Sequence, residues 1–92
     1  MKLEIKKFGT YLISRPEGRD AFLVIKNQFI PLNTLDNIQL DFAGVEVMTP
    51  SWLDEVVTGL AQVYGKSHIQ YLNTLNASVK MSLETVLESL DD

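Results

Sequence analysis

The sequence predicts an α/β fold in which about three helices pack mainly on one face of a small mixed β-sheet. Apolar residues alternate over 37–42, which is the period of a half-buried strand. Apolar residues over 50–64 and 76–90 recur instead at helical spacing. The order of extended segment, helix, strand, helix, strand and helix favours parallel neighbours joined by right-handed crossovers. Because strand 37–42 is polar on one side, the second face of the sheet is expected to be partly solvated.

The composition is that of a small globular domain, and we predict that residues 1–92 form a single domain. The absence of cysteine excludes a disulfide framework and a thiolate metal site. No apolar run has the length of a membrane span, and the first residues do not have the pattern of a signal peptide, so we expect a cytoplasmic location. The net charge of −4 argues against nucleic acid as a partner.

The first thirty residues are predicted to form an extended segment and then a helix. Charged and apolar residues alternate at the start, and Gly9 predicts a turn or bulge, so residues 2–13 form either one bent strand or a short hairpin. Ser14 and Glu17 have the spacing of a capping box, which predicts a helix from Arg15 to about Phe29. Its inward residues are expected to be Phe22, Ile25 and Phe29. Pro31 is expected to end it, before a loop over 32–36.

The strand over 37–42 and the helix that follows it form the centre of the predicted fold. The Thr49 hydroxyl can cap this helix, and Pro50 suits the first helical position because its missing N–H would have no partner there. The inward-facing stripe of the helix is Leu53, Val56, Val57, Leu60 and Tyr64. Gly59 costs about 1 kcal/mol relative to alanine inside a helix, so it predicts a close contact with the sheet or another helix. A strand over Ile69 to Leu72 and a last helix capped by Asn76 complete the fold.

The polar start of the second helix is the candidate partner-binding site. It comprises Thr49, Ser51, Trp52, Asp54 and Glu55. Structural roles are the alternative, since hydroxyls at a helix start usually cap it and acidic residues there favour the helix dipole by roughly 0.3–1 kcal/mol each. Trp52 lies off the apolar stripe, so it either packs against a neighbouring loop or anchors a partner. Arg15 and Arg19, a turn apart on the first helix, either pair with carboxylates of the chain or hold an anion.

An enzymatic function has little support in the sequence. His68 is the only histidine, and it lies in a short link where a surface role is more common. No G-x-S-x-G nucleophile motif, metal-binding loop or phosphate-binding glycine motif is present. We therefore expect a protein that is not an enzyme and that uses neither a cofactor nor a metal.

The stretch LDFAGVEVMTPSWLDEV, residues 40–56, resembles the strand-to-helix signature of STAS domains, the fold of the bacterial anti-sigma-factor antagonists. It is most similar to the STAS-like branch of unknown function, which reads L-D-F-x-G-V, then a hydroxyl cluster, an aromatic residue and D-E. That branch opens its first helix with S-R-x-x-(A/G)-R, matched over 14–19, and carries an asparagine after the last strand, matched by Asn73. The resemblance spans roughly Ile13 to Val86.

The resemblance implies a regulatory protein-interaction module. In the anti-sigma antagonists, a kinase-like ATPase docks at the start of the second helix and phosphorylates a serine there, which breaks the complex. The antagonist pattern M-D-S-(S/T)-G-L corresponds here to 48–53, where Pro50 occupies the acceptor position and Ser51 is the remaining candidate for phosphorylation. The implied partner is a kinase-like ATPase or a sigma-type regulator. The alternative is a small-ligand or nucleotide-binding module in which Arg15 and Arg19 hold the anion.

Overall fold

A computed structural model of the chain describes residues 1–30 and 36–90. Its helices are α1 (Arg15–Val24), α2 (Pro50–Tyr64) and α3 (Ala77–Leu90). Its strands are β1 (Lys2–Glu4), β2 (Tyr11–Leu12), β3 (Ile38–Asp41), β4 (Val47–Met48) and β5 (Ile69–Leu72). Short 3₁₀ turns occupy Ile5–Phe8 and Lys66–His68, and a π-helical turn over Ile25–Phe29 continues α1. The predicted α/β class is confirmed, whereas the predicted end of the first helix at Pro31 lies outside the described residues.

Every strand pair in the described part of the chain is parallel, where a mixed sheet was expected. β3 lies between β1 and β5, and β2 pairs with β4. Leu3 is the partner of Leu40, and Leu12 is the partner of Met48. β1 and β2 do not pair with each other and belong to separate sheets, so residues 2–13 form neither a hairpin nor one continuous strand. The 3₁₀ turn over Ile5–Phe8 separates the two short strands.

The three-stranded sheet has one buried and one partly solvated face, as predicted. Ile38 and Leu40 of β3 are fully buried. Gln39 points to the other face, where its side-chain nitrogen donates to the Gln70 oxygen at 3.2 Å. The core continues into the predicted stripe of α2, in which Leu53, Val56, Val57 and Leu60 are fully buried. Tyr64 is half-buried and packs against this core.

Two glycines bring α1 and α2 into close contact. A Cβ on Gly18 would lie 2.4 Å from the Trp52 carbonyl oxygen, and a Cβ on Gly59 would lie 2.7 Å from the Phe22 ring. The close contact predicted from Gly59 is confirmed, and Gly18 is its counterpart on the other helix. Any side chain at Gly18 would collide with backbone atoms, so this crossing requires glycine.

The free edge of β4 is covered by side chains from the start of α3. The Ser78 hydroxyl accepts from the Met48 N–H at 3.0 Å, and the Ser82 hydroxyl donates to the Met48 carbonyl at 3.1 Å. The predicted cap of α3 is confirmed, because the Asn76 side-chain oxygen accepts from the Val79 N–H at 3.1 Å. These bonds satisfy edge groups of the strand that would otherwise be unpaired, and they hold α3 beside the start of α2.

Candidate functional site

The start of α2 is held against β2 by Thr49. The Thr49 hydroxyl accepts from the Trp52 N–H at 3.4 Å and donates to the Ile13 carbonyl. Its backbone N–H also donates to the Leu12 carbonyl at 3.0 Å. The predicted cap is therefore confirmed, and the same hydroxyl joins the helix to the strand. Since both hydrogen-bonding functions of this hydroxyl are used inside the fold, Thr49 acts here as a structural residue.

Trp52 belongs to the core, so its interpretation as an exposed anchor for a partner is wrong. Its side chain is 1% exposed, and its ring lies 6.3 Å from the Phe8 ring at an angle of 52°. Phe8 ends the 3₁₀ turn between β1 and β2. On the other side, the Trp52 backbone is covered by Gly18 of α1. The crossing of α1 over α2 therefore buries a residue that lies off the main apolar stripe of its own helix.

Arg15, the first residue of α1, bonds to Asp54 and Glu55 in the second turn of α2, whose first turn contains no acidic residue. Its Nη1 donates to Asp54 Oδ2 at 2.9 Å and to Glu55 Oε1 at 3.3 Å. Asp54 Oδ1 accepts in addition from the Thr58 hydroxyl at 2.8 Å. The hydrogen bond from Arg15, followed by the smaller effect of Thr58, holds the pKa of Asp54 below its usual value despite partial burial. The two carboxylates likewise raise the pKa of Arg15.

The two arginines of the possible anion site have different surroundings. Arg15 already has two carboxylate partners within the chain. Arg19 is exposed and forms no ion pair with any residue that the structure describes. It borders a groove of about 200 Å³ that also contains Asp54 and Glu55. An anion in that groove would meet these carboxylates as well as the guanidinium groups, which disfavours it electrostatically.

Ser51 is the accessible hydroxyl at the start of α2. It is half-buried, and among the described residues its side chain has no hydrogen-bond partner. It borders a groove of about 170 Å³ between the three helices. The groove is lined by Arg15, Pro50, Ser51 and Asp54 from the first two helices and by Thr85, Val86 and Ser89 from α3. The sequence did not identify the α3 residues as part of this site, although the four-residue spacing of Thr85 and Ser89 indicates a shared helix face.

A second polar cluster joins the ends of β3 and β5. Asp41 is 5% exposed, and its Oδ1 accepts from the Asn73 side chain at 2.7 Å and from the Ala43 N–H at 3.0 Å. Lys2 lies 3.3 Å from Oδ2. The bonds from Asn73 and Ala43, with a smaller contribution from Lys2, lower the pKa of Asp41. Two residues of the family signature, Asp41 and Asn73, are thus linked to each other and connect the strand ends.

The described ranges contain no group of three or more His, Cys, Asp or Glu side chains placed to hold a metal ion. His68 lies half-buried in the 3₁₀ turn before β5. None of the helices in residues 1–30 and 36–90 is long and apolar enough to cross a membrane.

The fold and this site define the class of the protein: an α/β domain with parallel strands, consistent with a STAS-like fold. Residues 20–79 match the family model described as a STAS-like domain of unknown function. The chain belongs to this family, and the resemblance seen in the sequence is confirmed. No curated protein and no solved structure matched the chain.

Proposed function

We propose that the protein is a regulatory protein-interaction module whose partner docks at the start of α2. The docking surface consists of Ser51, Asp54, Glu55 and Arg15, and we call it the α2-start surface. The observation that carries this proposal is the Ser51 hydroxyl, which borders a three-helix groove and has no hydrogen-bond partner among the described residues. Thr49 caps the helix that presents this surface, and the buried Trp52 side chain anchors the same helix in the core.

Charge gives this surface a way to distinguish partners. Asp54 and Glu55 share one guanidinium, so a partner that supplies a further cation would gain an ion pair without breaking the internal one. A partner that supplies an anion would have to draw Arg15 away from both carboxylates. The family resemblance favours a kinase-like ATPase or a sigma-type regulator as the protein that docks here.

Phosphorylation at this surface would have to act through Ser51. Pro50 has no hydroxyl, and the Thr49 hydroxyl already bonds Ile13 and the Trp52 N–H. A phosphate on Ser51 would lie in the same groove as Asp54 and Arg15, repelling the carboxylate and attracting the guanidinium. We therefore expect a phosphate there to disturb the Arg15 bridge and to change partner affinity.

Site-specific crosslinking tests the proposal. A photo-reactive amino acid replaces Ser51 in one variant and the exposed Glu84 of α3 in a control, and both are irradiated in host extract. We expect position 51 to crosslink a defined protein that position 84 does not capture. With that protein purified, Glu55→Lys should weaken binding and Glu84→Lys should not. Identical crosslinks from both positions, or equal binding by both lysine variants, would contradict docking at the α2-start surface.

The second candidate function is anion or nucleotide binding, and it is favoured by the guanidinium of Arg19, which forms no ion pair with any described residue. This function predicts that ATP or pyrophosphate raises the melting temperature of the protein. The increase should be lost in Arg19→Ala and reduced in Arg15→Ala. An unchanged melting temperature with both compounds would exclude this candidate and leave partner docking unaffected.

A further inference from the structure

α1 borders a second groove, on the flank opposite to Arg15 and Arg19. This groove has a volume of about 230 Å³ and is lined by Phe8, Glu17, Asp20, Ala21, Val24 and Trp52. We call it the acidic groove. Its four α1 residues follow the i, i+3, i+4, i+7 spacing of a single helix face.

The floor of the acidic groove is apolar and its rim is charged. The Phe8 and Trp52 rings pack against each other below the groove, and Ala21 is 4% exposed. Glu17 and Asp20, by contrast, are both exposed. Two carboxylates therefore stand beside an aromatic and aliphatic floor.

Among the described residues, no cation forms an ion pair with these carboxylates. All eight Lys and Arg residues lie within the described ranges, and none forms an ion pair with Glu17 or Asp20. Lys7, adjacent to Phe8 in sequence, has its amino group over the Phe29 ring, 5.2 Å from the centroid. The negative charge at this rim is thus available to a cation from outside.

We propose that the acidic groove binds an arginine or lysine side chain of a partner protein, presented beside an apolar residue. The aliphatic stem of a basic side chain can cover the apolar floor while its charged head remains at the rim. There the head can make charge-assisted hydrogen bonds to the two carboxylates, and the nearby Phe8 ring favours a cation. Arginine is the better fit, because its planar guanidinium can bond a carboxylate with two parallel N–H groups.

This site is separate from the α2-start surface. It lies on the other flank of α1, and it contains none of the residues Ser51, Asp54, Glu55 and Arg15. Its test therefore needs neither the natural partner nor an intact α2-start surface.

Peptide selection tests the proposal. A displayed library of short random peptides is selected against three forms: the wild type, Glu17→Gln with Asp20→Asn, and a control with Glu84→Gln and Glu88→Gln. The control removes the same charge from exposed positions of α3. We expect the wild type and the control to enrich peptides with arginine or lysine beside an apolar residue. The Glu17/Asp20 variant should not enrich them.

The best enriched peptide then gives a quantitative test. By fluorescence polarisation its Kd should rise roughly tenfold or more in the Glu17/Asp20 variant, as expected for losing hydrogen bonds to charged groups. Salt should weaken binding to the wild type. Because Trp52 is the only tryptophan, its indole N–H resonance reports whether the peptide occupies this groove. No enrichment, enriched peptides without basic residues, equal affinity for all three forms, or an unmoved indole resonance would each overturn the proposal.

Discussion

The two flanks of α1 carry opposite charges, and they differ in whether those charges form ion pairs with other described residues. We call them the paired flank and the open flank. On one flank, Arg15 is paired with Asp54 and Glu55 of α2. On the other flank, Glu17 and Asp20 have no ion-pair partner in the described part of the chain. The first arrangement uses charge to hold two helices together. The second leaves charge at the surface, where a partner can use it.

The difference arises from how closely the neighbouring elements approach α1. Gly18 allows α2 to approach the helix so closely that Asp54 and Glu55 of α2 reach Arg15. On the other flank, the neighbour is the turn that ends at Phe8, which contributes an aromatic ring and no cation to the groove. Helix crossing therefore decides which charges are paired inside the molecule.

The largest expected effect comes from breaking the crossing itself. Gly18→Ala places a Cβ against the Trp52 carbonyl, so the helices must separate. We expect the free energy of unfolding to fall by about 2 kcal/mol or more. Urea unfolding followed by Trp52 fluorescence measures this. Gly59→Ala is the control and should cost less, because the atoms nearest to its Cβ belong to the Phe22 side chain and not to backbone. If Gly18→Ala were as stable as the wild type, the crossing of α1 and α2 would not require glycine at this position.

The next largest effect concerns Asp41, the most buried carboxylate that the chain pairs internally. Asp41→Ala leaves Asn73 and the Ala43 N–H without their acceptor, which should cost about 1–3 kcal/mol. Because folding lowers the pKa of Asp41, its contribution is present above the unfolded pKa of about 3.9 and is lost as pH falls through the folded pKa. Asp41→Asn should therefore flatten the acid side of the stability profile. An unchanged profile would contradict this role.

A smaller effect is expected from the paired flank. Arg15→Gln removes the bridge to Asp54 and Glu55, whereas Arg19→Gln removes an equal charge that has no ion pair in the described ranges. At low salt and neutral pH, Arg15→Gln should be the less stable of the two, and added salt should reduce the difference. The difference should also disappear as pH falls through the lowered pKa of Asp54. Equal stabilities at low salt would show that the bridge does not stabilise the helix pair.

The smallest effect is expected on the open flank. Glu17→Gln with Asp20→Asn removes two exposed carboxylates that have no ion pair in the described ranges. Loss of Glu17 from the first turn of α1 weakens its interaction with the helix dipole, and loss of the repulsion between the two carboxylates offsets this, so the urea midpoint should change little. Asp54→Asn is the matched comparison and should lower the midpoint, because it loses bonds from Arg15 and Thr58. A clear loss of stability in the Glu17/Asp20 variant would show that these carboxylates have a structural role.

Local signals in the sequence predicted the elements well. Ser14, Thr49 and Asn76 were expected to cap the three helices, and each accepts a hydrogen bond from a backbone N–H three residues further on. The strand over Ile69–Leu72 has the bounds that its sequence predicts. These features depend on neighbours within one helical turn or one strand, so the linear pattern contains the necessary information.

The site was predicted less completely. The sequence placed the candidate site at the start of the second helix and left open whether Trp52 packs against a neighbouring loop or anchors a partner; the structure shows the packing. Burial of Trp52 depends on Gly18 and Phe8, which come from separate segments of the chain. The hydroxyls of α3 that line the groove were missed for the same reason. Trp52 lies off the apolar stripe of its helix, and Thr85 and Ser89 lie on a polar helix face. Their sequence neighbours do not indicate which distant segments contact them.

The sequence by itself thus determined the three helices with their caps, the strands β3 and β5 and the family, because each depends on residues close together in the chain. It did not predict β4, and it predicted a mixed sheet where every described strand pair is parallel. The tertiary structure decided which charged side chains find partners. Arg15 and Asp54 are 39 residues apart in sequence, and they meet only because Gly18 lets α1 and α2 cross closely. Since Coulomb attraction acts across space and not along the chain, pairing on one flank of α1 and its absence on the other follow from packing.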